Sequence, residues 1–212
     1  ILYGTEEGSV GIRSVSHAGV LGPPASNAFM FRSSLPGEVT CTALNSQRVL
    51  LAIGLASGAL VVIDVESRKE RYTYRSPSPD ESGAIKSVIW LQKDRVAFAS
   101  ELGEVVVGDV SSSALASSAF GFRNANVTLK TGCRINSMVS PKGPALTTDD
   151  VLLFCGCGDG SIRALTIHGG KICETGSFPN VHEGGVTKLA SDQYLLASGG
   201  ADGTVRIWKM LV

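Results

Sequence analysis

Ser198-Gly199-Gly200-Ala201-Asp202-Gly203-Thr204-Val205-Arg206-Ile207-Trp208 reads as the end of one strand, a tight Asp-Gly turn and a second strand closing on tryptophan. Asp-Gly between short runs of small and β-branched residues is a strong hairpin signal, because both turn positions tolerate the positive φ that a tight reversal needs. Weaker copies of the phrase lie upstream. They read Gly4-Thr5-Glu6-Glu7-Gly8-Ser9-Val10-Gly11-Ile12, Gly54-Leu55-Ala56-Ser57-Gly58-Ala59-Leu60-Val61, Ser100-Glu101-Leu102-Gly103-Glu104-Val105-Val106 and Gly156-Cys157-Gly158-Asp159-Gly160-Ser161-Ile162-Arg163. A self-similar unit of roughly 40 to 50 residues is the signature of a repeat architecture, in which each unit buries its apolar faces against its neighbours.

The wording Asp202-Gly203-Thr204 followed by Trp208 resembles a WD40 repeat. That resemblance implies an all-β propeller of four-stranded antiparallel blades, each with an inner strand a, then b, c and an outer d. Strand a is expected at Val39 to Leu44, Ile85 to Leu91, Ile135 to Val139 and Val186 to Ala190. Strand b follows at Val49 to Gly54, Val96 to Ser100, Val151 to Cys157 and Tyr194 to Gly199. Strand c falls at Leu60 to Asp64, Glu104 to Asp109, Ser161 to Thr166 and Thr204 to Trp208. Strand d is the faintest, at Ala28 to Arg32, Glu70 to Tyr74, within Ala119 to Leu129, and at Lys171 to Phe178.

About four and a half blades result: 1–32 in part, 38–74, 84–129, 133–178, and 182–212 without its last strand. WD40 propellers complete their last blade with a strand from the start of the chain, which removes a free sheet edge. No such strand stands here, so we expect further chain ahead of Ile1 and a larger ring of about seven blades; the alternative is a compact chain that closes by itself as a smaller ring. Pro- and Ser-rich breakers at Gly22-Pro23-Pro24, Ser76 to Ser82, Ser111 to Ser118 and Ser140 to Pro144 are expected loops at the rims.

Bulk composition narrows the function classes. The 212 residues are 43% hydrophobic with mean hydropathy +0.18, ample for a buried core, and the 25 glycines suit a chain that turns every few residues. Nineteen basic residues balance nineteen acidic ones, so no net field draws the chain to nucleic acid or to an anionic membrane. Val49 to Ile63 is nearly uncharged but too short to span a bilayer, and two strands around a turn explain it better. Five cysteines form an odd set in a chain too large to need staples, which points to a reducing, intracellular setting, cytoplasmic or nuclear.

Candidate site residues fall into two groups. His182, Ser198, Asp202 and Trp208 occupy the places where the resemblance implies a structural hydrogen-bond tetrad, from the His ahead of strand a through the turn Asp and the strand b hydroxyl to the indole. Buried polar groups must be paired, and a satisfied network stiffens its surroundings, so Trp208→Phe or Asp202→Ala is expected to destabilise the last blade. A Ser-His-Asp hydrolase reading is outweighed, since no nucleophile elbow exposes the serine. In the fourth blade Asp159 keeps the turn position, but Cys155 stands for the serine and Leu165 for the tryptophan. The second group, Glu38, Lys86, Arg134 and Lys188 near the starts of the a strands, consists of candidate partner contacts on the top face.

Other motifs carry less. Cys155-Gly156-Cys157 puts two thiols on one face of a strand, half of a metal site with no second pair; Cys133 and Cys173 read as isolated, buried small residues. Gly156 to Gly160 lacks the strand-to-helix setting of a phosphate loop. His17 and His168 read as solvated. Ser76-Pro77, Ser78-Pro79 and Ser140-Pro141 are possible proline-directed phosphorylation sites. The sum is a non-enzymatic scaffold for a protein or peptide partner in a multiprotein complex, with no cofactor or metal, no direct nucleic-acid contact and no membrane insertion. The alternatives are a subunit of an RNA-processing or other nucleic-acid-associated assembly, and a propeller with a ligand-binding or catalytic central channel.

Overall fold

The structure, a computed structural model, describes residues 2–12, 29–32, 37–76, 83–92, 94–110, 127–141 and 150–210. These contain eighteen strands in five antiparallel sheets and no helix. Sheet one is β1 (Leu2–Gly4), β2 (Ser9–Ile12) and β3 (Phe29–Arg32). Sheet two is β4 (Val39–Leu44), β5 (Leu50–Leu55), β6 (Leu60–Asp64) and β7 (Glu70–Tyr74). Sheet three is β8 (Ile85–Trp90), β9 (Arg95–Ser100), β10 (Glu104–Asp109) and β11 (Val127–Lys130). Sheet four is β12 (Ile135–Val139), β13 (Val151–Cys157), β14 (Ile162–His168) and β15 (Lys171–Phe178). Sheet five is β16 (Val186–Ser191), β17 (Leu195–Gly200) and β18 (Val205–Lys209).

Each sheet is a meander whose strands pair in chain order, as hairpin-linked strands must. The apolar run 49–63, which hydropathy alone might assign to a membrane, is β5, a turn and β6. The breakers Gly22-Pro23-Pro24 and Ser111 to Ser118, His17, and Ser78 lie outside the described residues. Ser140, by contrast, donates from its Oγ to the Leu152 carbonyl at 2.9 Å. No helix among the described residues is long and apolar enough to cross a membrane.

Both faces of the middle sheets are buried, which is why their strands read as nearly continuous apolar runs. With side chains alternating along β9, Val96 and Phe98 pack toward sheet two beside Tyr74 and Ile85, while Ala97 and Ala99 pack toward sheet four beside Ile135 and Leu153. Val10 joins sheet one to Leu51 and Ile53 of sheet two, and Phe154 and Ile162 of sheet four meet Val186 and Leu189 of sheet five. The penultimate residue of the second strand is small wherever the next sheet starts against it. A Cβ on Gly54 would crowd Ile85, and one on Gly156 would crowd Val186. Close approach of successive sheets accounts for these glycines.

The inner strands carry a repeated bulge. Register skips one residue in β4, β8, β12 and β16, at Thr40, Lys86, Asn136 and Thr187. Side chains at and after the bulge then tie one sheet to the next. Thr40 Oγ1 donates to the Ile85 carbonyl, and Asn136 Nδ2 donates to the Val186 carbonyl at 2.8 Å. The Met138 and Leu189 N–H groups donate to Ser87 Oγ and Ser137 Oγ at 3.0 and 3.1 Å. No described strand pairs with the outer edge of β18, and Val205 and Ile207 on it are 72% and 68% exposed.

Candidate functional site

The turns that lead into each inner strand and the turns between second and third strands share one rim. The residue before the inner strand accepts a backbone hydrogen bond from the first turn residue in four sheets: Ala56 to Glu38 at 2.8 Å, Glu101 to Ala84 at 2.7 Å, Gly158 to Arg134 at 2.7 Å and Ala201 to Gly185 at 2.9 Å. This contact holds both turns of each sheet in one place. What differs between sheets is the side chains set on it.

In sheet five His182 sits four residues ahead of β16 and is 3% exposed. Its Nδ1 lies 3.1 Å from both oxygens of Asp202, its Nε2 lies 2.8 Å from Ser198 Oγ, and Trp208 Nε1 donates to the same oxygen at 3.4 Å. Donor and acceptor roles fix the direction of this chain. The indole N–H must donate to Ser198, whose hydroxyl hydrogen then goes to Nε2, leaving Nδ1–H for the carboxylate. Thr204 joins it, with N–H and Oγ1 donating to Asp202 Oδ1 at 3.0 and 2.8 Å. These bonds, led by the Thr204 N–H, hold the Asp202 carboxyl well below the usual carboxylate range. Ser198 is 1% exposed with its oxygen held between histidine and indole, a poor place for a nucleophile.

Sheet four repeats the turn with other side chains. Ser161 N–H and Oγ donate to Asp159 Oδ1 at 2.9 and 2.6 Å, as Thr204 does to Asp202. The pairings Ile135 with Cys157 and Val186 with Gly200 make Cys157 the counterpart of Gly200. Counting back from the inner strand makes Thr131 the counterpart of His182. Both receive the same backbone contact: Thr131 N–H donates to the Gly103 carbonyl at 2.9 Å and His182 N–H to the Gly160 carbonyl at 3.0 Å. A Cβ on Gly200 would collide with the His182 ring. Where Thr131 replaces that ring, the space takes two thiols, with Cys133 Sγ 2.7 Å from Cys157 Sγ.

This corrects one expectation: Cys133 is not isolated. Its signal was present, since placing Gly156-Cys157-Gly158-Asp159 over Gly199-Gly200-Ala201-Asp202 puts Cys157 where a histidine ring would otherwise press. Cys155 is buried between sheets three and four, and burial pushes its thiol up to about 12. His168, read as solvated, is exposed yet contacts the Asp150 carboxylate.

Of the four rim candidates, Lys86 and Arg134 are brought together by Glu101, a residue the sequence reading passed over. Lys86 Nζ lies 3.6 Å from Glu101 Oε2, and Arg134 Nη2 donates to Glu101 Oε1. Lys188, in β16, acts electrostatically on the Cys41 thiol of β4 together with Lys86. Burial outweighs both ammonium groups there and pushes that thiol up to about 11. Glu38 is exposed ahead of β4.

Serially stacked four-stranded meanders with bulged inner strands define part of a β-propeller. Residues 174–209 match the family model for the WD domain, G-beta repeat, and the fold is that of the WD40 propellers. A chain of the mitotic checkpoint complex superposes with TM-score 0.73 at 15% identity, covering 100% of this chain and 61% of that one. Sqt1 of Chaetomium thermophilum, bound to the N-terminus of the ribosomal protein L10, superposes with TM-score 0.73 at 21% identity over 98% of this chain and 55% of that one. A second crystal structure of Sqt1 from Chaetomium thermophilum gives TM-score 0.72 at 20% identity, covering 98% of this chain and 52% of that one. The chain thus spans between about half and three-fifths of the length of these structural neighbours. No curated protein matches it in sequence.

Proposed function

We propose that the chain is a non-enzymatic scaffold that takes up a protein or peptide partner on the rim carrying Glu38, Lys86, Arg134 and Lys188. The observation that carries this reading is the Lys86, Glu101 and Arg134 cluster, which joins the turns of sheets three and four and leaves the Arg134 side chain 58% exposed. A guanidinium half-held by a carboxylate is oriented before a partner arrives, and arginine is among the residue types that dominate interface energetics. That Sqt1, with the same fold, holds a peptide segment supports the reading. The odd count of five cysteines in a chain too large to need staples supports a reducing intracellular setting. The His182, Ser198, Asp202 and Trp208 network acts as a brace for sheet five, not as a catalytic group.

The test is affinity purification from native cells followed by cross-linking mass spectrometry, with the Lys86→Glu, Arg134→Glu double variant alongside. We expect a stoichiometric partner cross-linked at Lys86 or Lys188 and lost in the variant. Recovery of the protein alone at every salt concentration overturns the proposal.

A further inference from the structure

We propose that Cys133 and Cys157 form a reversible disulfide on reaction with a hydroperoxide, which makes the rim of sheet four an oxidative modification site. Cys133 lies in the turn between β11 and β12, and Cys157 ends β13. The pairing of β12 with β13 brings their sulfurs to 2.7 Å, so closing to a bond of about 2.05 Å asks only a small shift of either side chain. Cys157 is buried and Cys133 is partly open to solvent, which sets their order of reaction.

The surroundings favour a thiolate at Cys133. Cys157 shares a proton with it, the Thr131 hydroxyl lies 3.5 Å away, and the Arg163 guanidinium adds positive charge; together these outweigh burial and bring the Cys133 thiol down from the ordinary thiol range. Cys157 moves the opposite way, pushed up by the same shared proton and by burial. A partly open thiolate beside a buried resolving thiol is the arrangement of a redox-sensitive pair.

The Cys133 thiolate attacks one oxygen of the hydroperoxide, the O–O bond breaks, and Cys133 becomes a sulfenic acid while the alkoxide takes a proton and leaves as an alcohol, or as water from hydrogen peroxide. Cys157 sulfur then attacks the sulfenic sulfur and displaces hydroxide, which leaves as water with the Cys157 proton. Two thiols and one hydroperoxide give one disulfide, one alcohol and one water. Sulfur is oxidised and the peroxide oxygen reduced, and a dithiol reductant reverses the bond by exchange.

A metal fits the same atoms less well. Cys133, Cys157 and Asp159 offer ligand atoms within 4.8 Å of one another. However, two thiolates on a tetrahedral zinc stand ~3.8 Å apart at Zn–S distances near 2.3 Å. Asp159 is taken up by Ser161, and Arg163 Nη2 lies 3.9 Å from its other oxygen, where it would oppose a cation.

The experiment treats the purified full chain with a small excess of hydrogen peroxide, blocks residual thiols with N-ethylmaleimide and maps peptides by mass spectrometry. The expected result is a mass lower by two hydrogens, a linked peptide pair joining Cys133 to Cys157, and recovery of both thiols with dithiothreitol. Cys133→Ser and Cys157→Ser each abolish the link, whereas Cys41→Ser and Cys173→Ser keep it; the map of the unmodified protein stands even where a variant does not fold. Sulfinic acid at Cys133 without a link, or a link through another cysteine, overturns the proposal. Stoichiometric retention of added zinc that blocks oxidation overturns it in favour of a metal site.

Discussion

Sheets four and five are built on the same turn, yet only in sheet five does a histidine stand behind it. Asp159 and Asp202 each accept from the backbone N–H and hydroxyl two residues on. In sheet five the His182 ring carries that carboxylate inward to Ser198 and Trp208, and Gly200 stays bare beneath it. In sheet four Thr131 reaches only toward the Gly103 and Cys133 carbonyls, and Cys157 and Cys133 fill the room left over. The difference teaches that the tetrad is one way among others to fill a fixed space behind the turn. A large aromatic donor demands glycine opposite, whereas a small hydroxyl admits a side chain there.

The most direct way to break the comparison is to remove the ring. His182→Ala leaves the buried Ser198 hydroxyl without the ring nitrogen that accepts its hydrogen and opens a void where the 3%-exposed ring sat, so we expect a loss of roughly 2–4 kcal/mol. Thr131→Val at the corresponding place removes one hydroxyl of near-equal volume and should cost about 1 kcal/mol. Thermal or urea unfolding of both variants measures the gap. Equal losses would mean that the histidine contributes no more than a single hydrogen bond.

A second variant sharpens the steric half of the argument. Gly200→Ala forces a methyl into the His182 ring and the Asp202 carboxylate, an overpacking expected to cost about 1–3 kcal/mol. In the His182→Ala background the ring clash is gone and only the Asp202 carboxylate crowds the methyl, so the two losses should fall short of their sum by about 1 kcal/mol or more. Strict additivity in the double variant would show that ring and glycine are not matched to each other.

Much of this was legible in the sequence, and the parts that were not share a cause. Val39–Leu44, Leu60–Asp64 and Val151–Cys157 have the bounds read from the pattern alone, because apolar runs bounded by turn residues mark strands in a twice-covered sheet. The outer strand Val127–Lys130 was placed only within Ala119 to Leu129, since a short edge strand has one packed face and little pattern to show. The four members of the His182 network stood out through the resemblance of this one repeat to a WD40 repeat. Cys133 and Cys157 lie 24 residues apart and meet only through strand pairing, and Glu101 joins Lys86 to Arg134 across two sheets. Contacts of that kind depend on register and on sheet order, which spacing along one strand does not report.

The smallest expected effect lies in acid. Thr204 and His182 hold the Asp202 carboxyl well below its ordinary range, whereas at Asp159 burial pushes upward and the Ser161 bonds outweigh it to leave a lowered value. A depressed carboxyl stabilises the fold at any pH above its unfolded value of about 3.9, and that contribution fades as pH falls through the folded value. Asp202→Asn should therefore be less stable than the parent at pH 7, and the gap should narrow as pH drops below about 4. Asp159 is half exposed and no histidine continues its network inward, so Asp159→Asn should shift stability by no more than about 1 kcal/mol at neutral pH. Unfolding midpoints of both variants between pH 7 and pH 3 decide it. A gap for Asp202→Asn that persists undiminished in acid would mean that the side-chain geometry, and not the charge, holds the turn. A loss at Asp159 as large as that at Asp202 would mean that the turn carries the stability by itself and the histidine only decorates it.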